Sequence, residues 1–125
     1  MAKKKDEIEP EDQCPVARPK VICICGSRRF IEHMAVKAFE LERKGNIVMA
    51  PALLPSWYSA DVRDTIEANK LKETLCEVWF HKIDLSDEVL VINTDGYIGE
   101  STQAEIDYAL ELGLPVVYEE ELPKR

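Results

Sequence analysis

The chain has 125 residues, 46% of them apolar, which is enough for one domain with a real core and too few for two. Its formal charge of −8 argues against binding of nucleic-acid polymers, which calls for a basic stripe that displaces counterions from phosphates. No run approaches the roughly 18 apolar residues of a membrane span, and the charged amino terminus is unlike a signal peptide, so a cytoplasmic protein without membrane contact is expected.

Residues 1–20 mix charge blocks with Pro10, Pro15 and Pro19 and hold almost no large apolar side chains, which reads as a tail. The folded domain is expected over residues 21–119, followed by a short tail over 120–125. Val21 to Cys25 is apolar throughout, as a central parallel strand buried on both faces should be. It runs into Gly26-Ser27-Arg28-Arg29, after which Phe30, Ile31, Met34, Ala35, Ala38 and Leu41 recur at helical spacing until Lys44-Gly45 ends the helix. A second strand, Ile47 to Ala50, runs into Pro51 and Pro55. Beyond it, Trp57, Tyr58 and Ser59 form a loop whose rings either wall a binding site or fold back over the core.

From Asp61 to about Asp84 the pattern is helical. Val62 and Ile66 share one short face, Leu71, Leu75, Val78 and Trp79 another, and Asn69 is a candidate break between them. Val89 to Asn93 is again continuously apolar up to its last residue and reads as a buried strand. It leaves through Thr94, Asp95, Gly96, Tyr97, Ile98 and Gly99, where the two glycines permit a tight loop and close approach of a ligand to the main chain. Thr102 to Glu105 has the spacing of a capping box, with Ser101 as the alternative cap one residue earlier. Ile106, Ala109 and Leu110 continue the helix until Gly113 and Pro115 stop it, and Val116 to Tyr118 closes the sheet. The order β-α-β-α-β-α-β predicts a three-layer α/β/α sandwich around a parallel sheet of strand order 2-1-3-4. The switch point then falls between the first and third strands, and the loops Gly26–Arg29 and Asp95–Thr102 face each other across one crevice.

Chemistry is expected in those two loops. Two arginines at a helix start oppose the macrodipole, so Gly26, Ser27 and Arg28 read as a seat for a phosphate or carboxylate; the alternative is a pair of solvated arginines facing Glu32. The amino end of the helix near Ser101 and Thr102 adds unpaired N–H groups beside two hydroxyls. Glu105 serves either its own helix, as the last residue of a capping box, or a ligand at the switch point. Asp95 is either a turn former before Gly96 or a general acid. Cys23 and Cys25 share one side of a strand and read as reduced core thiols rather than a zinc site, as no second ligand pair accompanies them. His81 lacks a partner at ligand spacing, and neither a P-loop nor a dinucleotide fingerprint is present.

The run Asp87 to Asn93, the segment Gly96-Tyr97-Ile98-Gly99-Glu100-Ser101-Thr102, Glu105 to Ala109 and Leu114 to Val117 together resemble the nucleoside 2-deoxyribosyltransferase-like family. The segment Cys25 to Phe30 is more similar to the related superfamily of nucleotide-sensing and phosphoribohydrolase-like domains. The resemblance spans roughly residues 21–118, and its specific part is the last third. It implies a flavodoxin-like, Rossmann-like sandwich that binds a nucleoside or nucleotide. It also implies that Glu105 attacks the sugar C1′, with Asp95 or Tyr97 assisting, and that Gly26, Ser27, Arg28, Gly96, Gly99, Ser101 and Thr102 hold the substrate. No metal or other cofactor is required. In that family the acidic partner lies nearer the glutamate than Asp95 does here. Members often complete the pocket across a homodimer, which would bring Trp57, Tyr58 or Trp79 near an interface. The same crevice in a module without catalysis would sense a nucleotide.

Overall fold

The computed structural model describes residues 18–52, 54–55 and 66–122. Strands β1 (Val21–Gly26), β2 (Ile47–Met49), β3 (Glu88–Ile92) and β4 (Val116–Tyr118) alternate with helices α1 (Ile31–Arg43), α2 (Ile66–Asp84) and α3 (Glu100–Glu111). All neighbouring strands are parallel and the sheet order is β2-β1-β3-β4. This is a flavodoxin-like α/β/α sandwich, with the topological switch between β1 and β3. Trp57, Tyr58 and the first part of the helical pattern from Asp61 lie outside the described residues. Asn69 does not break α2, which runs unbroken through it.

Alternation along the central strands divides the core in two, because successive side chains point to opposite faces. Cys23, Cys25, Val89 and Val91 pack with Ile83 of α2 and with Ile106 and Ala109 of α3. Ile24 and Ile92 pack on the other face with Met34 of α1. Both cysteines of β1 are fully buried and free, as expected of core thiols. Helices α2 and α3 are locked together near their contact by Phe80 and Tyr108, edge to face at 4.9 Å between ring centres, and by a 2.5 Å bond from the Tyr108 hydroxyl to Asp84. That contact fixes the face of α2 that α3 sees.

The folded body begins before Val21 and ends after Glu119. Arg18 pairs with Asp87 at 2.9 Å and Lys20 with Glu88 at 3.1 Å, while the Asp87 carboxylate accepts the Val21 N–H at 2.8 Å. These donors hold the Asp87 carboxyl below the usual carboxylate value. At the far end of β3, Asn93 is fully buried and exchanges two 2.9 Å bonds with the backbone of Glu120. Its side chain thus extends the β3–β4 pairing beyond the last ladder bond. Asn93→Ala is expected to cost about 1–3 kcal/mol, the range for stranding buried polar partners. The readout is a lower urea midpoint at unchanged slope; an unmoved midpoint would mean that Glu120 is not held by this residue. Among the described residues no helix is long and apolar enough to cross a membrane.

Candidate functional site

Beyond the carboxyl ends of β1 and β3 lies a crevice of about 940 Å³. One wall is the turn Gly26, Ser27 and Arg28; another is the loop from Tyr97 through Gly99 into α3, with Ser101, Thr102 and Glu105. The two loops meet at the crevice in part, through Gly26 to Arg28 of the first and through Tyr97 and Gly99 to Thr102 of the second. A third wall was not expected, since Lys72, Leu75, Trp79 and Lys82 come from α2. Their apolar members follow the helical period of a core face, and periodicity alone cannot tell a face packed on protein from one packed on a cavity.

The amino end of α3 differs from its sequence reading in a way that bears on Glu105. The helix starts at Glu100, with Gly99 as its cap residue and no side-chain cap. Thr102 is therefore inside the first turn and only 3% exposed, so the Thr102–Glu105 capping box does not form. Ser101, the alternative cap, is likewise helical. Without a capping side chain, the first N–H groups of α3 remain available at the crevice, an arrangement suited to an anion or a polar oxygen. Glu105 lies a turn deeper than a capping residue and makes no bond to its own helix start.

Its surroundings explain its chemistry. Burial pushes the Glu105 carboxyl above the ordinary carboxylate value, while the Trp79 indole, the Cys25 thiol and the Arg28 guanidinium each favour the charged form and pull it part of the way back. The Trp79 Nε1–H is buried and has no hydrogen-bond partner in the structure. Cys25 stays a thiol, since contact with Cys23, burial and the nearby Glu105 all push its pKa far up. The result is a half-buried carboxylate whose charge is opposed by burial and favoured by the Trp79 indole, the Cys25 thiol and Arg28, which lines the crevice with the cations Lys72 and Lys82.

The two arginines take different places. They occupy a 3-10 turn, Arg28–Phe30, before α1 begins, and Ser27 caps that turn by accepting the Arg29 N–H at 3.3 Å. Arg28 lines the crevice and donates to the Ala52 carbonyl at 3.2 Å. Arg29 turns away and lies over the Tyr97 ring, 3.8 Å from its centre. Neither pairs with Glu32 among the described residues. Tyr97 is thus held from one side by a cation and edge-on by Phe30, with ring centres 6.1 Å apart, and its other side borders the crevice.

Gly26 has a structural reason to be glycine. A Cβ there would stand 3.1 Å from the Ile92 carbonyl and 3.2 Å from the Met34 sulfur, so the missing side chain admits β3 and α1 rather than a ligand. Asp95 and Gly96 do not line the crevice. Both adopt left-handed backbone, at φ 57° and 78°, and the Asp95 N–H donates to the Glu120 carboxylate at 3.3 Å. The turn-forming alternative accounts for Asp95, whose neighbour Thr94 borders a separate cleft of about 630 Å³ with Arg29, His33 and Glu119. His33 and Lys37 already occupy the Glu119 carboxylate, at 2.8 and 3.4 Å.

No protein-family model matches the chain, and no curated protein matches it either.

Proposed function

We propose that the crevice cleaves or exchanges the N-glycosidic bond of a nucleoside or nucleoside 5′-monophosphate, with Glu105 as nucleophile. The supporting observation is the position of Glu105: a carboxylate released from any capping duty, partly buried at the switch point, beside unpaired helix N–H groups and opposite Arg28. In this reaction a Glu105 oxygen bonds to C1′ as the C1′–N bond breaks, and the departing base takes a proton from the Tyr97 hydroxyl or from water. Water or a second base then attacks C1′ and returns a proton to the Tyr97 phenolate or to solvent as the C1′–O bond to Glu105 breaks and frees the carboxylate. A carboxylate suits the step because it stabilises the positive charge that develops on the sugar and then bonds to it. Tyr97, on the crevice wall, serves the departing base. Ser27, Arg28, Ser101 and the first N–H groups of α3 hold the 5′ end. The test is to incubate the purified protein with a panel of nucleosides and monophosphates and follow free base by chromatography. Release from at least one of them is expected, and none from any would end this reading.

One observation favours a second reading. Asp95 does not line the crevice, and its backbone N–H is held by the Glu120 carboxylate, so that turn brings no second acid to the sugar. A module that binds a nucleotide in the same crevice without breaking it needs only the donors and Arg28. Binding without release in the same panel would select it.

We further propose that the pocket is completed across a homodimer, as the resemblance of the glycine loop and α3 implies. Sedimentation at micromolar concentration is expected to give the mass of a dimer, and a monomer would contradict it. Trp79 would not be the exposed contact, since its ring packs against the core and under Lys82, 5.7 Å from the ammonium.

A further inference from the structure

Among the described residues, Trp79 carries a buried polar atom without a hydrogen-bond partner. Its ring packs against the core cluster of Cys25, Ile83 and Ile106, and the Lys82 ammonium stands over it while donating 2.9 Å to the Ala50 carbonyl. The ring is therefore held from several sides and cannot swing its nitrogen to water. Yet that nitrogen is buried with no acceptor, and an unpaired buried donor is costly enough to be rare in a native fold. Trp79 and Glu105 line the same crevice, from α2 and α3.

We infer that Trp79 is a positioning residue for Glu105: its indole N–H, with the Cys25 thiol beneath as a second neutral donor, grips one carboxylate oxygen and leaves the other aimed at the ligand. This rests on the reading of Glu105 as the reacting group. A neutral donor suits the task better than a cation. It orients the carboxylate and favours its ionised form without forming an ion pair that would quench its nucleophilicity. A charged carboxylate takes shorter and stronger hydrogen bonds than a neutral acid, so the indole N–H holds it most tightly in its ionised form. Among the described residues, the other ionisable groups that line the crevice are Arg28 after β1, Lys72, Cys76 and Lys82 on α2, Tyr97 before α3 and Glu100 on α3, with Cys23 behind Cys25 in the core. Of those cations, Arg28 favours the Glu105 charge.

The experiment is a carbon-13 NMR titration of the Glu105 carboxyl, assigned by its loss in Glu105→Gln, in wild type and in Trp79→Phe. Losing a hydrogen bond to a charged group is expected to raise the Glu105 midpoint by about one pH unit. Because phenylalanine also leaves space behind, a second variant carries benzothienylalanine at position 79, which keeps the bicyclic shape and replaces N–H by sulfur. The same upward shift is expected. Where base release is measurable, its acid limb should move with the midpoint, and kcat should fall about tenfold with KM little changed. A midpoint unmoved or lowered in both variants overturns the inference. If the wild type releases no base from any compound, the glycosidic reading falls, and the titration still decides whether Trp79 holds Glu105.

Discussion

Glu105→Gln is expected to lower base release by roughly 10³-fold or more while ligand affinity changes little, the pattern for losing a group that acts only in the transition state. Glutamine keeps the size and one acceptor oxygen but cannot form the glycosyl ester. The structure adds a stability arm that a capping role would reverse. If Glu105 closed a capping box, exchanging it would be neutral at best; here it caps nothing and burial raises its pKa. The sign follows from proton linkage. Between the ordinary carboxylate value and the raised value in the folded protein, the folded state binds more protons than the unfolded chain, so stability falls as pH rises through that window. Above it the buried charge is a standing cost. The Gln variant is therefore expected to melt at the same or higher temperature than wild type at neutral pH, and to lose the advantage at pH values below the window. A large loss of stability at neutral pH would restore a structural role to Glu105. For the wild type, activity should fall on acidification at a pH above the usual carboxylate range.

Arg28→Ala is expected to weaken nucleoside monophosphate binding about ten- to a hundredfold, from roughly 1.5–3 kcal/mol for hydrogen bonds to a charged group, and to leave nucleoside binding nearly alone. Arg28 is the crevice cation of the Gly-Ser turn, whereas Arg29 is committed to the face of Tyr97. Equal losses for both ligands in calorimetric titrations would move the phosphate to Lys72 or to the start of α3. A second consequence is internal to the site. Arg28 favours the ionised form of Glu105, so its removal should push the acid limb of the pH profile further up.

The sheet was legible because Val21–Cys25 and Val89–Ile92 are apolar without alternation, a pattern that suits a strand covered on both faces. The switch point followed from the order of elements alone. Cap chemistry was less legible. The Thr102-Gln103-Ala104-Glu105 spacing imitates a capping box, yet Thr102 is buried and the helix begins earlier at Glu100, because the chain enters α3 through Gly99 in an extended conformation. Asp95 was placed with the crevice residues by sequence proximity to Gly96 and Glu105, and the left-handed turn at Asp95 and Gly96 carries it to the Glu120 side instead. Asn93 reads as the polar end of a strand, and nothing local reveals that its amide reaches across to Glu120, 27 residues on. The α2 wall was hidden for the reason periodicity always hides such walls: Leu75 and Trp79 look like core whether they face a neighbouring helix or an open cavity.

The central claim is a covalent bond between Glu105 and a sugar carbon. Fluorine at C2′ disfavours positive charge at C1′ and slows both formation and breakdown of such an ester, so that it can accumulate when the leaving base is good. Intact-protein mass spectrometry after incubation with a 2′-fluoro nucleoside is expected to show wild type heavier by one fluorinated sugar, with the label mapped by peptide fragmentation to Glu105 and absent from Glu105→Gln. Base release from ordinary nucleosides by both proteins, with no adduct on either, would contradict the claim.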